Sequence, residues 1–149
     1  MSQVETGAGK GGAPGFELDR IVLPVRDGVE PSHRPPVRIF LGTEPAQYRA
    51  DRVLVWSIEK VRDPSRVYEI TLLKDLPGFD RRGWTTSFTN YRFAIPHLMG
   101  GAGRAIYNDE DQVYLSDPGE LFDLDMGDHG YRAVSPHDTS VMLLDAAKM

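Results

Sequence analysis

Asp109 and Asp111 stand one residue apart at the end of the apolar run Arg104-Ala-Ile-Tyr-Asn108. Side chains two positions apart share one face of a regular strand, where two carboxylates repel unless a cation lies between them. Where a strand frays into a turn, both can approach one divalent ion. Hard oxygen donors suit Mg²⁺ or Mn²⁺, which keep waters and accept phosphate oxygens as further ligands. Taken alone, Asp-x-Asp also reads as an ordinary acidic turn. The chain has no cysteine, which excludes disulfides, thiol nucleophiles, zinc–thiolate sites and iron–sulfur clusters.

The elements around this pair follow from hydrophobic spacing. Val37-Arg-Ile-Phe-Leu-Gly42 reads as a short buried strand. Ala50, Val53, Leu54, Ser57, Ile58 and Val61 recur at steps of three and four, predicting one face of a helix that Pro64 ends. Trp56 is expected to pack on the core side of that helix, and Thr43 to cap it ahead of Pro45. Val67–Leu73 is β-branched and strand-like. Tyr91, Ile95, Leu98 and Met99 predict a second helix, stopped by Gly100-Gly101.

Arg104–Asn108 is then the strand that delivers the acidic pair. Asp117-Pro118-Gly119-Glu120 reads as a helix start, with aspartate at the cap, proline at the first helical position and glutamate closing a capping box. Tyr131–Ser135 and Val141–Leu144 are two further short strands. Strand, helix, strand, helix, strand implies right-handed crossovers and an α/β fold with a mainly parallel sheet. In such a sheet the acidic pair lies at the carboxyl end of a strand, where open sheets bind ligands.

Residues 1–15 are rich in glycine and proline and read as a flexible leader, and the lysine within Gly7–Gly12 lacks phosphate-loop spacing. Residues 16–36 supply a peripheral strand and loop, and residues 37–149 the ligand-binding part. With 149 residues and a net charge of −5, one acidic domain is expected, with no broad nucleic-acid face. No apolar run reaches a membrane span and no secretory h-region opens the chain, so a cytoplasmic location is expected. The strand at Val141–Leu144 comes five residues before Met149, which reads as a domain incomplete at its C-terminus.

The stretch Gly103-Arg-Ala-Ile-Tyr-Asn-Asp-Glu-Asp-Gln-Val-Tyr-Leu-Ser-Asp-Pro-Gly-Glu-Leu-Phe122 resembles the signature of nucleotide-sugar glycosyltransferases of the GT-A fold, in particular the family 8 group of glycogenin and the bacterial galactosyltransferases. Asn108 replaces a usual leucine. Three more stretches match in order: Arg38–Thr43, Thr89–Pro96, and His137–Asp145. Together they span the first half of such a domain, from Val37 to Leu144.

The resemblance implies a Rossmann-like nucleotide-diphospho-sugar transferase fold. It implies a Mn²⁺ or Mg²⁺ ion on Asp109 and Asp111, with Arg92 as a cationic partner in catalysis. A nucleotide contact is implied at Gly42, Thr43, Glu44, Gln47 and Glu110, and a sugar contact at Asp138 and Thr139. Asp138 stands where the family has asparagine, and Ser140 where it has glycine. The implied reaction moves a hexose from a nucleotide-sugar, in the first place a UDP-sugar, to a glycan, lipid or protein acceptor. The downstream histidine that supplies the family's third metal ligand has no counterpart here. A truncated, non-catalytic nucleotide-binding module is therefore the alternative. A haloacid-dehalogenase-like phosphatase is a weaker one, since its acidic motif belongs on a first strand. Asp123, Asp125, Asp128 and His129 read as a solvated loop, and Trp84, between Arg82 and Thr85, as either a stacking ring or a loop anchor.

Overall fold

The computed structural model describes residues 3–5, 18–74, 76 and 87–149. The leader apart from 3–5, and the Trp84 loop, lie outside these residues. Among the described residues, seven strands form one sheet: β1 (Gln3–Glu5), β2 (Arg20–Leu23), β3 (Val37–Gly42), β4 (Tyr68–Leu73), β5 (Arg104–Asp109), β6 (Tyr131–Ser135) and β7 (Asp138–Asp145). Their order across the sheet is β1-β2-β4-β3-β5-β7-β6.

The expected α/β class holds, but the sheet is mixed rather than mainly parallel. Among the described strands, β3–β4 and β3–β5 alone pair in parallel. The pairings β1–β2, β2–β4, β5–β7 and β6–β7 are antiparallel. The cause lies in the connections. A parallel return needs a crossover of a dozen residues or more, whereas β6 and β7 are separated only by Pro136-His137.

Apart from exposed Arg38 near its start, the central strand is apolar on both faces because both are covered. Val37, Ile39 and Leu41 face Leu54 and Ile58 of α1 (Tyr48–Val61) and Phe122 of α3 (Pro118–Phe122). Phe40 faces the other way, into a cluster with Tyr91, Ile95, Tyr107 and Met142. This period-two partition puts neighbouring residues of β3 and β5 into two different cores.

The helices depart from the spacing-based expectation in instructive ways. The buried positions of α1 are Asp51, Leu54, Ser57 and Ile58, while Val53 is exposed. Thr43 donates to Asp51 Oδ1 at 2.6 Å, which satisfies a buried carboxylate and turns the helix face towards it. Thr43 is therefore not a cap: Glu44 holds that position ahead of a 3-10 turn at Pro45–Gln47, with no side-chain cap bond.

Trp56 is 61 % exposed, against the expected packing, with the Lys60 ammonium 5.4 Å from its ring centre. Trp56→Ala is accordingly expected to change stability by no more than about 0.5 kcal/mol, the range of ordinary surface substitutions; urea unfolding measures this, and a loss of 2 kcal/mol would mean the ring packs.

The second expected helix is split into a 3-10 turn (Ser87–Ala94) and a single α-turn, α2 (Ile95–Leu98). Pro96 has no N–H to bond back four residues, so α geometry starts only at its doorstep. Gly100 and Gly101 do end the segment, at φ of 68° and 76°. Asp117 caps α3 as expected, its Oδ1 accepting from the Gly119 N–H at 2.8 Å and from the Tyr68 hydroxyl at 2.6 Å.

Where β4 begins, an ionic cluster ties α3 to the sheet. Arg66, 1 % exposed, grips Asp123 with both Nη atoms (2.7 and 2.9 Å) and gives its Nε–H to the Pro35 carbonyl at 2.7 Å. Exposed Arg34 bridges Asp123 and Asp63. Asp123 therefore belongs to a fold-holding ion pair, which corrects the reading of it as part of a solvated loop.

Candidate functional site

The site is built on the carboxyl end of β5. Successive side chains there point to opposite faces, so Tyr107 and Asp109 share one side and Asn108 and Glu110 the other. Tyr107 is fully buried and donates its hydroxyl to Asp109 Oδ1 at 2.6 Å. The Arg92 guanidinium lies 4.8 Å from the Tyr107 ring centre, and its Nη1 donates to the Thr139 carbonyl at 2.8 Å and to the Thr139 hydroxyl. Three segments far apart in the chain, 87–94, β5 and β7, thus meet around one carboxylate.

Burial raises the pKa of Asp109, and the nearby charges of Asp111 and Asp138 push in the same direction; the Tyr107 hydroxyl bond and Arg92 oppose them. The Tyr107 phenol is pushed up, first by burial and then by its bond to Asp109. Asp111 is exposed. Asp138 sits at the start of β7, exposed, its Oδ1 accepting from the Ser140 N–H (3.1 Å) and hydroxyl (2.6 Å). Those bonds hold its carboxyl below the ordinary range.

On the other side, Asn108 is buried, donating to Gln112 Oε1 at 2.9 Å and accepting from the Tyr114 hydroxyl. The departure from leucine at this position therefore closes the acidic turn with a polar clamp. Glu110 is buried as well, and its Oε2 has no hydrogen-bond partner among the described residues. Burial lifts its pKa to about 7, and the charges of Asp111, Asp109 and Asp51 add to the effect.

Of the residues singled out in the sequence, Arg92, Asp109 and Thr139 are linked by direct contacts through Tyr107. Asp111 and Asp138 act on Asp109 through charge. Gly42 lies directly across the sheet from Asp109. Thr43 turns its hydroxyl to Asp51, while Glu44 and Gln47 lie on the turn beyond. The spacing argument missed Tyr107, Asp51 and Tyr114. For Tyr107 a signal existed, since its place two residues before Asp109 puts both side chains on one face.

Among the described residues, no group of three or more histidine, aspartate or glutamate side chains is arranged to hold a metal. The donor set here is two carboxylates, one of whose four oxygens is already taken by Tyr107. That set fits a hard divalent ion completed by waters and ligand phosphate oxygens, and it does not fit a closed, all-protein metal cage. No helix among the described residues is long and apolar enough to cross a membrane.

No family model and no curated protein matches the chain in sequence. Solved structures do match it in shape. A bifunctional glycosyltransferase, WbbM, superposes with a TM-score of 0.63 at 15 % identity, over 81 % of this chain and 33 % of its own. The glycosyltransferase GlyE of Streptococcus pneumoniae TIGR4 gives 0.59 at 18 % identity, over 77 % and 35 %. The galactosyltransferase LgtC, solved with donor and acceptor sugar analogues, gives 0.60 at 14 % identity, over 75 % and 59 %. The chain thus spans between one-third and three-fifths of the length of each. It has the α/β, GT-A type of fold on which these glycosyltransferases are built.

Proposed function

We propose that this chain is the nucleotide-sugar-binding part of a metal-dependent glycosyltransferase that moves a hexose from a UDP-sugar to a glycan or other acceptor, in the cytoplasm. The observation that carries the reading is the placement of Asp109 and Asp111 at the carboxyl end of β5, beside Arg92, on a glycosyltransferase fold.

The chemical demand is set by the leaving group. Breaking the bond between sugar and diphosphate builds negative charge on the phosphate oxygens, and catalysis consists largely of stabilising that charge. A Mn²⁺ or Mg²⁺ ion held by Asp109 and Asp111 supplies Lewis-acid neutralisation when bound. Arg92 sits on the same carboxylate cluster with its orientation fixed by Thr139, and brings a positive charge to the place where the leaving group's negative charge would grow. In this reading Gly42, Thr43, Glu44, Gln47 and Glu110 serve the nucleotide and Asp138 and Thr139 the sugar, as the resemblance implies; the support is that Gly42 lies across from Asp109 and that Thr139 holds Arg92.

The test is calorimetric titration of UDP into the chain with and without Mn²⁺, set beside the Asp109→Ala/Asp111→Ala variant. Metal-dependent binding that weakens by 100-fold or more in the variant is the expected result. UDP binding that ignores both the ion and the variant removes the reading. Slow hydrolysis of a UDP-sugar by the same sample separates an enzyme from a binding module, which would hold UDP without cleaving its sugar ester.

A further inference from the structure

Glycine inside a strand gives up side-chain packing and costs conformational entropy, so it needs a reason. Backbone geometry does not provide one at Gly42, which is absent from the positive-φ glycines of the chain. Space does. A Cβ at Gly42 would lie 2.4 Å from the Tyr107 hydroxyl oxygen and 3.0 Å from two of its ring carbons. The phenol of Tyr107 fills the volume that any other residue on β3 would occupy.

We infer that Tyr107 is the positioning residue for Asp109 and that Gly42 is the cradle that allows it to be. This rests on the proposal that Asp109 is a metal ligand. The Tyr107 hydroxyl holds Asp109 Oδ1 at 2.6 Å, leaving Oδ2 as the oxygen offered to an ion. The phenol cannot retreat towards β3, because the Gly42 backbone lies there in register with Asp109. The Arg92 guanidinium stands over the face of its ring and is itself tied to Thr139, which restrains the ring from tilting. The carboxylate is thereby fixed in one orientation before any ligand arrives. Outer partners that orient a metal ligand typically contribute 10- to 100-fold in metal affinity.

The experiment titrates Mn²⁺ into the full chain and follows the free aqua-ion signal by electron paramagnetic resonance. It compares wild type, Tyr107→Phe, Gly42→Ala, the Gly42→Ala/Tyr107→Phe pair, and Asp109→Ala/Asp111→Ala. Tyr107→Phe keeps the ring and removes only the hydroxyl. It is expected to stay folded by circular dichroism and to bind Mn²⁺ about 10- to 100-fold more weakly. Gly42→Ala is expected to weaken Mn²⁺ to a similar degree by displacing the phenol.

Because both substitutions break one device, the pair is expected to lose little more than either alone, a non-additivity that independent effects do not produce. A merely structural tyrosine would lower the unfolding midpoint and leave Mn²⁺ affinity untouched, and that result overturns the inference. So does full additivity in the pair. Should Gly42→Ala fail to fold, Tyr107→Phe decides alone. Loss of Mn²⁺ binding in the double aspartate variant alongside intact binding in Tyr107→Phe overturns only the positioning role. Absence of binding by wild type overturns the metal site and the positioning role together.

Discussion

Asp123→Ala is expected to lower the free energy of unfolding by about 3 kcal/mol, the lower end of what removing one partner of a buried ion pair costs. The asymmetry of the pair explains the size. Arg66 is almost wholly enclosed and cannot lose its charge, whereas Asp123 is one-third exposed on its side chain. Deleting the aspartate leaves the guanidinium with a hydrogen bond to the Pro35 carbonyl, the Phe122 ring 5.4 Å away and the weaker pull of the Asp117 charge. Arg34→Ala removes the outer half of the same cluster, yet Arg34 is 54 % exposed, and such pairs contribute about 1 kcal/mol or less.

Acid provides an independent check on the pair. The bonds from Arg66 hold the Asp123 carboxyl below its ordinary value, with Arg34 adding to the effect. A depressed folded-state pKa means stability that is complete above the unfolded value, about 4, and lost as pH falls below it. Urea unfolding of wild type should therefore weaken between pH 5 and pH 3, and Asp123→Ala should have a flatter profile there. Equal acid slopes in the two proteins would show that the pair does not hold the fold.

Glu110→Gln is expected to act in the opposite sense, stabilising the chain above neutrality. The buried carboxyl of Glu110, whose Oε2 has no hydrogen-bond partner among the described residues, has its pKa lifted to about 7 by desolvation, with the neighbouring carboxylates assisting. A raised folded-state pKa means that the folded chain binds more protons than the unfolded one between about 4.5 and 7. Stability then falls as pH rises through that window, by an amount on the order of 3 kcal/mol.

Glutamine cannot ionise and removes this contribution. Measured in chelator, the variant should be the more stable protein at pH 8 and the two should converge at pH 4.5. Burial also raises Asp51 and Asp109, so part of the slope will survive in the variant. An unchanged slope would place the titrating burden on those two residues instead. Retaining a destabilising carboxyl beside the proposed ligand site is the trade between stability and function seen at binding surfaces generally.

The parts of the fold written in local pattern were legible in the sequence. Val37–Gly42 has the bounds its apolar run predicts, Asp117 caps its helix, and Gly100-Gly101 stop theirs. What escaped is what depends on distant partners. Nothing near Trp56 announces that its helix face is turned by a bond between Thr43 and Asp51. Arg66 and Asp123 lie 57 positions apart, and no spacing rule joins them. The hairpin of β6 and β7 escaped because the apolar run predicts a strand starting only at Val141, whereas it starts at Asp138, leaving a two-residue link that admits only a hairpin. At the site, residue types located the acidic pair. The lock made by Tyr107 and the vacancy at Gly42 required knowing which strands adjoin.

The order of strands also governs how the chain assembles. β3 lies at the centre of the sheet, yet its partners come late: Ile39 pairs with Ile70 on one side and with Ile106 on the other. Neither pairing can form without closing a long loop, and such topologies fold on the millisecond-to-second scale. On a ribosome, the apolar edge of β3 waits for more than sixty further residues before its second neighbour exists. The hairpin of β6 and β7, closed by two residues, assembles at once but has only β5 to dock on. The central strand therefore keeps one unpaired edge until β5 has been made, so the nascent chain, more than the folded sheet, is the form that exposes it.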